Sequence, residues 1–271
     1  MKTKNPQTSL KVQPLPERWT SKIKILFTDV DDTLTWEGQL PPETFNALHK
    51  LREANITVVP VTGGCAGWCD CLIKTWPINS IIGENGALYM DKDSSGIVHT
   101  HYLKDESTIS DDLVRLQKVA KEINRQFPLI GFTQDQPFRL TDIAFDIGQT
   151  VSVPEEVAKQ ATAWLIEQGL QARQSSIHIN AWLGDHSKST AATEWINKNN
   201  IHIADCLFIG DSPNDESMFQ LLTNSVGVAN VERFLPQMKY LPAFITKSSG
   251  GYGFTELAEA LVQCNAPEVA P

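Results

Sequence analysis

The sequence predicts an α/β protein: a doubly wound, Rossmann-like parallel sheet into which a smaller α+β lobe is inserted. Three observations carry this reading. Short apolar strand segments alternate with amphipathic helical segments at the start of the chain, the signature of a parallel sheet. That rhythm breaks after Asn85-Gly86 and resumes after Lys188. Several strand segments also end on polar or acidic residues, where an open α/β sheet gathers its ligand-binding groups.

The elements follow in order. Residues 1–19 are polar, contain proline and lack the apolar core of a secretory signal, so a flexible leader is expected. Residues 23–34 read I-K-I-L-F-T-D-V-D-D-T-L. Ile25, Leu26 and Phe27 are continuously apolar, as suits a parallel strand covered on both faces. The strand ends on Asp29 and Asp31, which in an extended segment would point to the same side. Two such carboxylates repel unless a cation or a shared proton intervenes, and a hard, oxygen-rich site suits Mg²⁺. An ordinary polar turn has the same composition. Pro41-Pro42-Glu43 opens a helix with Phe45, Leu48 and Leu51 on one face, and Asn55 closes it. A second strand, 56–61, runs into Thr62-Gly63-Gly64; a helix through Trp68 and Leu72 leads to a third strand, 80–82, and Glu84-Asn85-Gly86.

After Asn85-Gly86, residues 87–90 and 97–103 flank a turn and read as a β-hairpin. A helix with Leu113, Leu116, Val119, Ala120 and Ile123 inward follows. Then come a strand at 143–147, a helix from Pro154 and a strand at 177–183. These segments fit an inserted cap at 104–183, leaving a core of 20–103 and 184–271. On the last cap strand Ser176, His178, Asn180 and Trp182 alternate onto one face. Two readings fit: a face that hydrogen-bonds and stacks a sugar, or a plain half-exposed strand. Arg139 and Asp142 are weaker candidates of the same sort. From Lys188 the parallel pattern returns, with strands at 206–209, 225–228 and 243–246 and a last helix carrying Phe254, Leu257, Ala258 and Leu261.

Composition narrows the function classes. The chain has 271 residues, 41% hydrophobic and 20% charged, ordinary for a globular protein with a sizeable core. A net charge of −9 argues against a nucleic-acid partner and gives no global attraction for a phosphate, so any anion site must be local. No apolar run approaches the roughly 18 residues that cross a bilayer, and no membrane partner is expected. The five cysteines, an odd number, fit reduced thiols and a cytoplasmic location. Cys65, Cys69 and Cys71 lack a C-x-x-C pair, and local packing is favoured for them over zinc. The sequence leaves the oligomeric state open.

Together D-V-D-D-T-L at 29–34, T-G-G at 62–64, Lys188 and G-D-S-P-N-D at 210–215 resemble the haloacid dehalogenase (HAD) superfamily of phosphohydrolases. Their order and spacing are similar to its type IIB branch, which includes sucrose-phosphate phosphatase-like enzymes. The likeness spans residues 22–261. It implies a Mg²⁺-dependent phosphomonoesterase for a sugar phosphate or similar small phosphorylated metabolite. Asp29 would be the nucleophile that forms an aspartyl-phosphate and Asp31 the general acid and base. Thr62, helped by the Gly63 N–H, would hold the phosphoryl group together with Lys188. In the family the metal is held by the carboxylates matching Asp29 and Asp211 and by the backbone carbonyl matching Asp31, with Asp215 at or just behind it.

The chain departs from the family pattern at Gly64, where a basic residue is more common, and at Ser189, where glycine often follows the lysine. Lys198 competes with Lys188 but sits late on its helix. A phosphomutase would place its cap between the first two motifs, where residues 32–61 hold only one helix and one strand. A dehalogenase proper does not need Asp31, and a P-type ATPase would need membrane spans. The alternative of another class is a non-catalytic phosphosugar-binding or sensor protein on the same fold.

Overall fold

The computed structural model describes residues 12–175 and 177–265; Ser176 of the proposed strand face lies outside the described residues. The elements are β1 (Gln13–Pro14), β2 (Ile25–Thr28), α1 (Pro42–Glu53), β3 (Thr57–Pro60), α2 (Ala66–Thr75), β4 (Ser80–Gly83) and β5 (Leu88–Lys92). Next come β6 (Val98–Tyr102), α3 (Glu106–Gln126), β7 (Gly131–Phe132), β8 (Ile143–Asp146), α4 (Glu155–Glu167), β9 (Gln171–Gln174) and β10 (His178–Trp182). The chain ends with α5 (Lys188–Lys198), β11 (Cys206–Gly210), α6 (Glu216–Leu221), β12 (Ser225–Gly227), β13 (Phe244–Ile245) and α7 (Gly250–Asn265). They form two compact units: the chain up to Ile56 together with the chain from Ile203 onward, and Thr57–His202 between them.

The first unit carries a parallel sheet in the order β1-β13-β12-β11-β2. All of β2 is buried, as its unbroken apolar run requires. Helix α1 starts on the prolines, buries Thr44, Ala47, Leu48 and Leu51, and packs on α7. It stops before Asn55, whose φ of 58° is the left-handed conformation that asparagine tolerates. The leader expected over 1–19 is corrected from Gln13 onward. Gln13 N–H donates to the Ala243 carbonyl (3.0 Å), and Leu15 N–H to that of Ile245 (2.7 Å). Pro14, which has no N–H to offer, is tolerated there because β1 is an edge strand. Trp19 is buried, with its ring edge-on to Phe244 at 5.4 Å.

The second unit holds two antiparallel sheets, β4-β5-β6 and β7-β8-β10-β9. The hairpin β5–β6 forms where expected. Strand β4, expected to continue the parallel rhythm, pairs antiparallel with β5; its parallel neighbour in this unit is a single bridge, Val61 to Ile82. The four-stranded sheet has its own apolar core, in which Leu116 and Ile123 of α3 and Ala161 and Leu165 of α4 pack with Phe145, Ile179 and Ala181. The inserted segment is therefore an α+β lobe. Residues 57–103 and 184–202, expected with the core, fall in the same compact unit as this lobe. Among the described residues no helix is long and apolar enough to cross a membrane.

Candidate active site

In the first unit the acidic residues converge because two parallel strands end together. Thr28 pairs with Ile209, and Asp29 N–H donates to the Ile209 carbonyl at 2.9 Å. Asp29 therefore lies beside Gly210, with Asp211 one residue further on. Behind Asp211 the chain folds into a tight turn, and the Asp215 carboxylate accepts the N–H groups of Asp211 (2.9 Å) and Ser212 (3.3 Å). A Cβ on Gly210 would lie 2.4 Å from Asp215 Oδ2, so only glycine permits this approach.

Oxygens of Asp29, Asp211 and Asp215 all lie within 4.8 Å of one another, and the three residues are buried. Buried carboxylates this close repel strongly without a compensating cation. Three hard oxygen donors fit Mg²⁺, whose affinity for carboxylates exceeds its affinity for softer ligands. Asn230, which sequence reasoning missed, fastens the cluster. Its Nδ2 donates to Asp211 Oδ2 and to the Asp32 carbonyl, both at 3.0 Å, and its Oδ1 accepts the Gly250 N–H.

Asp31 does not join Asp29 in this cluster. Beyond Asp29 the chain leaves the strand and curls around the Val30 carbonyl, which accepts the N–H groups of Leu34 (2.9 Å) and Thr35 (3.0 Å). Asp32 takes a left-handed φ of 56°, and Asp31 is exposed while Asp29 is buried.

In the second unit Thr62 is buried, and its Oγ1 accepts the Gly64 N–H at 2.9 Å. The loop it opens is laced to Glu84 and Asn85, whose N–H groups donate to the carbonyls of Gly64 and Thr62, both at 3.1 Å. Glu84, Asn85 and Gly86 have consecutive positive φ values of 46°, 55° and 97°. A Cβ on Gly86 would meet the Ser187 carbonyl oxygen at 2.2 Å, so this turn packs directly against the start of α5. Lys188 occupies the first turn of that helix, capped by Ser187, and is only 2% exposed. A solvated surface lysine is thereby excluded. Lys198, the competitor, is partly exposed and pairs with Asp91 at 3.4 Å.

A charged network lies under the Thr62 loop. The Arg139 side chain is fully buried, bonds both Asp142 oxygens (3.0 and 3.1 Å), and pairs with Asp135 at 3.1 Å. Burial opposes the charge of Arg139, but Asp142 and Asp135 hold its pKa above the ordinary arginine value. Glu84, with no exposed surface, accepts the N–H groups of Ala66, Leu140 and Thr141 and the Thr141 hydroxyl. Burial and the neighbouring Asp142 nevertheless push its carboxyl up to about 7.

The proposed face of β10 is not open. Asn180 and Trp182 are buried, as are Ile179 and Ala181 on the other side. Asn180 Nδ2 donates to the Gly63 carbonyl (3.2 Å) and to Asp142 (3.3 Å), while Trp182 Nε1 donates to the His186 carbonyl. His178 is partly buried beside Gln149 (2.8 Å), and burial lowers its pKa. Cys65 caps α2 through the Trp68 N–H and Cys69 is buried against Gly83, which is the packing role expected of them. Burial pushes the Cys65 thiol up to about 11.

The sequence profile of the haloacid dehalogenase-like hydrolases matches residues 26–136 and 115–248, most of the chain. The chain belongs to this family. As a HAD-like hydrolase it is an enzyme. It is similar to a phosphoglycolate phosphatase of Methanosarcina mazei, 26% identical over 89% of this chain and 97% of the relative. A phosphoglycolate phosphatase of Metallosphaera sedula is 24% identical, over 89% and 99%. Among solved structures, a Thermoplasma acidophilum protein shares the fold at a TM-score of 0.70 and 18% identity, covering 89% of this chain and 99% of its own. The sucrose-phosphatase of Synechocystis sp. PCC6803 does so at 0.63 and 16%, covering 89% and 98%.

Proposed function

We propose that this HAD enzyme is a Mg²⁺-dependent phosphomonoesterase for a small phosphorylated metabolite, either a sugar phosphate or a short phosphorylated hydroxy acid. The observation that carries it is the buried Asp29–Asp211–Asp215 cluster, a cation site built around a carboxylate at a strand end. The names of the relatives support the substrate class. Free cysteines at 65, 69, 71, 206 and 264 fit a cytoplasmic enzyme.

In this reading Asp29, Asp211 and Asp215 hold the metal, which when bound offsets the repulsion between carboxylate and phosphate. An Asp29 oxygen attacks phosphorus, the ester P–O bond breaks, and Asp31 gives its proton to the leaving oxygen. Water then attacks the aspartyl-phosphate and yields a proton to Asp31; the P–O bond to Asp29 breaks and phosphate leaves. Exposure of Asp31 suits a group that exchanges protons with substrate and water. Thr62, the Gly63 N–H and Lys188 bind the phosphoryl oxygens.

Rapid-quench mass spectrometry with an aryl phosphate tests the mechanism. Asp29→Asn should abolish turnover. Asp31→Asn should retain a trace, about 10²–10⁴-fold below wild type, and accumulate a phosphoryl group on the Asp29 peptide. Full activity in Asp29→Asn would end the covalent reading. A panel containing 2-phosphoglycolate and hexose phosphates would identify the substrate.

A further inference from the structure

Gly63 and Gly64 share one peptide unit, and both of its polar atoms are engaged. The Gly64 N–H donates to Thr62 Oγ1 at 2.9 Å. The Gly63 carbonyl accepts from Arg139 Nη1 (3.1 Å) and Asn180 Nδ2 (3.2 Å), two groups of the inserted lobe. These donors are themselves fixed, because Asp142 accepts from both and Asp135 accepts from Arg139. Thr62, Arg139, Asp142 and Asn180 are buried, which gives the chain of bonds a defined geometry. A peptide is planar, so gripping its carbonyl sets the direction of its N–H. The Thr62 oxygen that accepts this N–H has its own proton left to donate elsewhere.

We propose that Arg139 and Asn180 are positioning residues: through the Gly63–Gly64 peptide they orient the Thr62 hydroxyl for the phosphoryl group. This rests on the phosphate-binding reading of Thr62 given above. It assigns the lobe a second task, independent of the leaving group: it tunes the grip on the phosphate common to every substrate. A group that reads the leaving group acts only on substrates that carry one large enough to reach it. A group that orients Thr62 acts on all phosphate esters alike, and on inorganic phosphate.

The test compares an aryl phosphate, the best metabolite of the panel and product inhibition by inorganic phosphate. Asn180→Leu removes one donor to Gly63 while keeping volume and every charge. It should raise KM for both esters and the phosphate inhibition constant by a common factor of about 5–20, the scale of losing one well-placed buried hydrogen bond. Arg139→Ala should exceed this, and Arg139→Lys, which restores a cation near Gly63, should recover part of the loss. Arg139→Ala also strands Asp142 in the interior, so the conclusion stands on Asn180→Leu if that variant does not fold. A loss confined to the metabolite would overturn the proposal and return Asn180 to reading the leaving group. An unchanged phosphate inhibition constant, with melting temperature alone reduced, would also overturn it. Thr62→Val is the control for the underlying reading. If it leaves the phosphate constant unmoved, the phosphate role of Thr62 fails, which is distinct from an effect of Thr62→Val without one of Asn180→Leu.

Discussion

Asp211 is held from two sides, by its own backbone turn on Asp215 and by the Asn230 amide on Oδ2. An amide that orients a metal-binding carboxylate typically changes affinity by about 10–100-fold when removed. Asn230→Ala should therefore raise the half-saturating Mg²⁺ concentration by about that much, with kcat recovering at high metal. Asp211→Asn removes a charge from the cluster itself and should raise it further. Calorimetric Mg²⁺ titration checks both, and an unaltered metal affinity in Asp211→Asn would remove that residue from the site. The sequence disclosed Asp29, Asp211 and Asp215 because each ends a strand or opens a turn, positions where polar residues stand out against apolar runs. Asn230 and Arg139 were harder to recognise. The bond from Arg139 to the Gly63 carbonyl spans 76 positions and leaves no local spacing to read.

At the level of elements, periodicity identified the long helices and the hairpin, while short polar strands escaped it. Strand β9 (Q-A-R-Q) has no apolar run and is held by pairing with β10. Strand β10 does alternate, but Asn180 on its polar face bonds Gly63 and Asp142, which are distant in sequence, and alternation cannot tell a wet face from a buried hydrogen-bonded one. The turn from β10 to α5 carries a buried His186 stacked on Trp182 at 5.6 Å, with no hydrogen-bond partner on either ring nitrogen among the described residues. Burial and the nearby Lys104 charge lower its pKa from 6.5 to about 4. Between these values the unfolded chain binds the extra proton, so the stability this histidine permits is complete above pH 6.5 and falls as the pH drops toward 4. The loss amounts to at most about 3 kcal/mol. Urea unfolding of wild type and His186→Phe across pH 4–7 should show the shallower acid slope in the variant. Identical slopes would mean that His186 titrates freely in the folded state.

For the whole molecule, the strand–helix rhythm before residue 57 and after 203 was sufficient to read a parallel sheet, because buried parallel strands are apolar without interruption. The limits of the compact units were not legible, since hydrogen bonds from the lobe to the Thr62 loop leave no trace in composition. Net charge, by contrast, is fully legible and has a kinetic consequence. At −9 the molecule repels a phosphate dianion at long range, while attraction comes from groups that touch it. These forces respond differently to salt. The Debye length falls from about 30 Å at 0.01 M to about 8 Å at 0.15 M, so added salt removes the long-range repulsion. Contacts at about 3–4 Å lie well inside that length and are little screened. With Mg²⁺ saturating, kcat/KM for the phosphorylated metabolite should therefore rise modestly, about two- to threefold, as NaCl increases from 10 to 150 mM. Stopped-flow or initial-rate measurements at matched free Mg²⁺ test this directly. A steady fall in kcat/KM over the same range would show that the approach to the site is governed by a positive surface field, and that the acidic surface has no part in how substrate arrives.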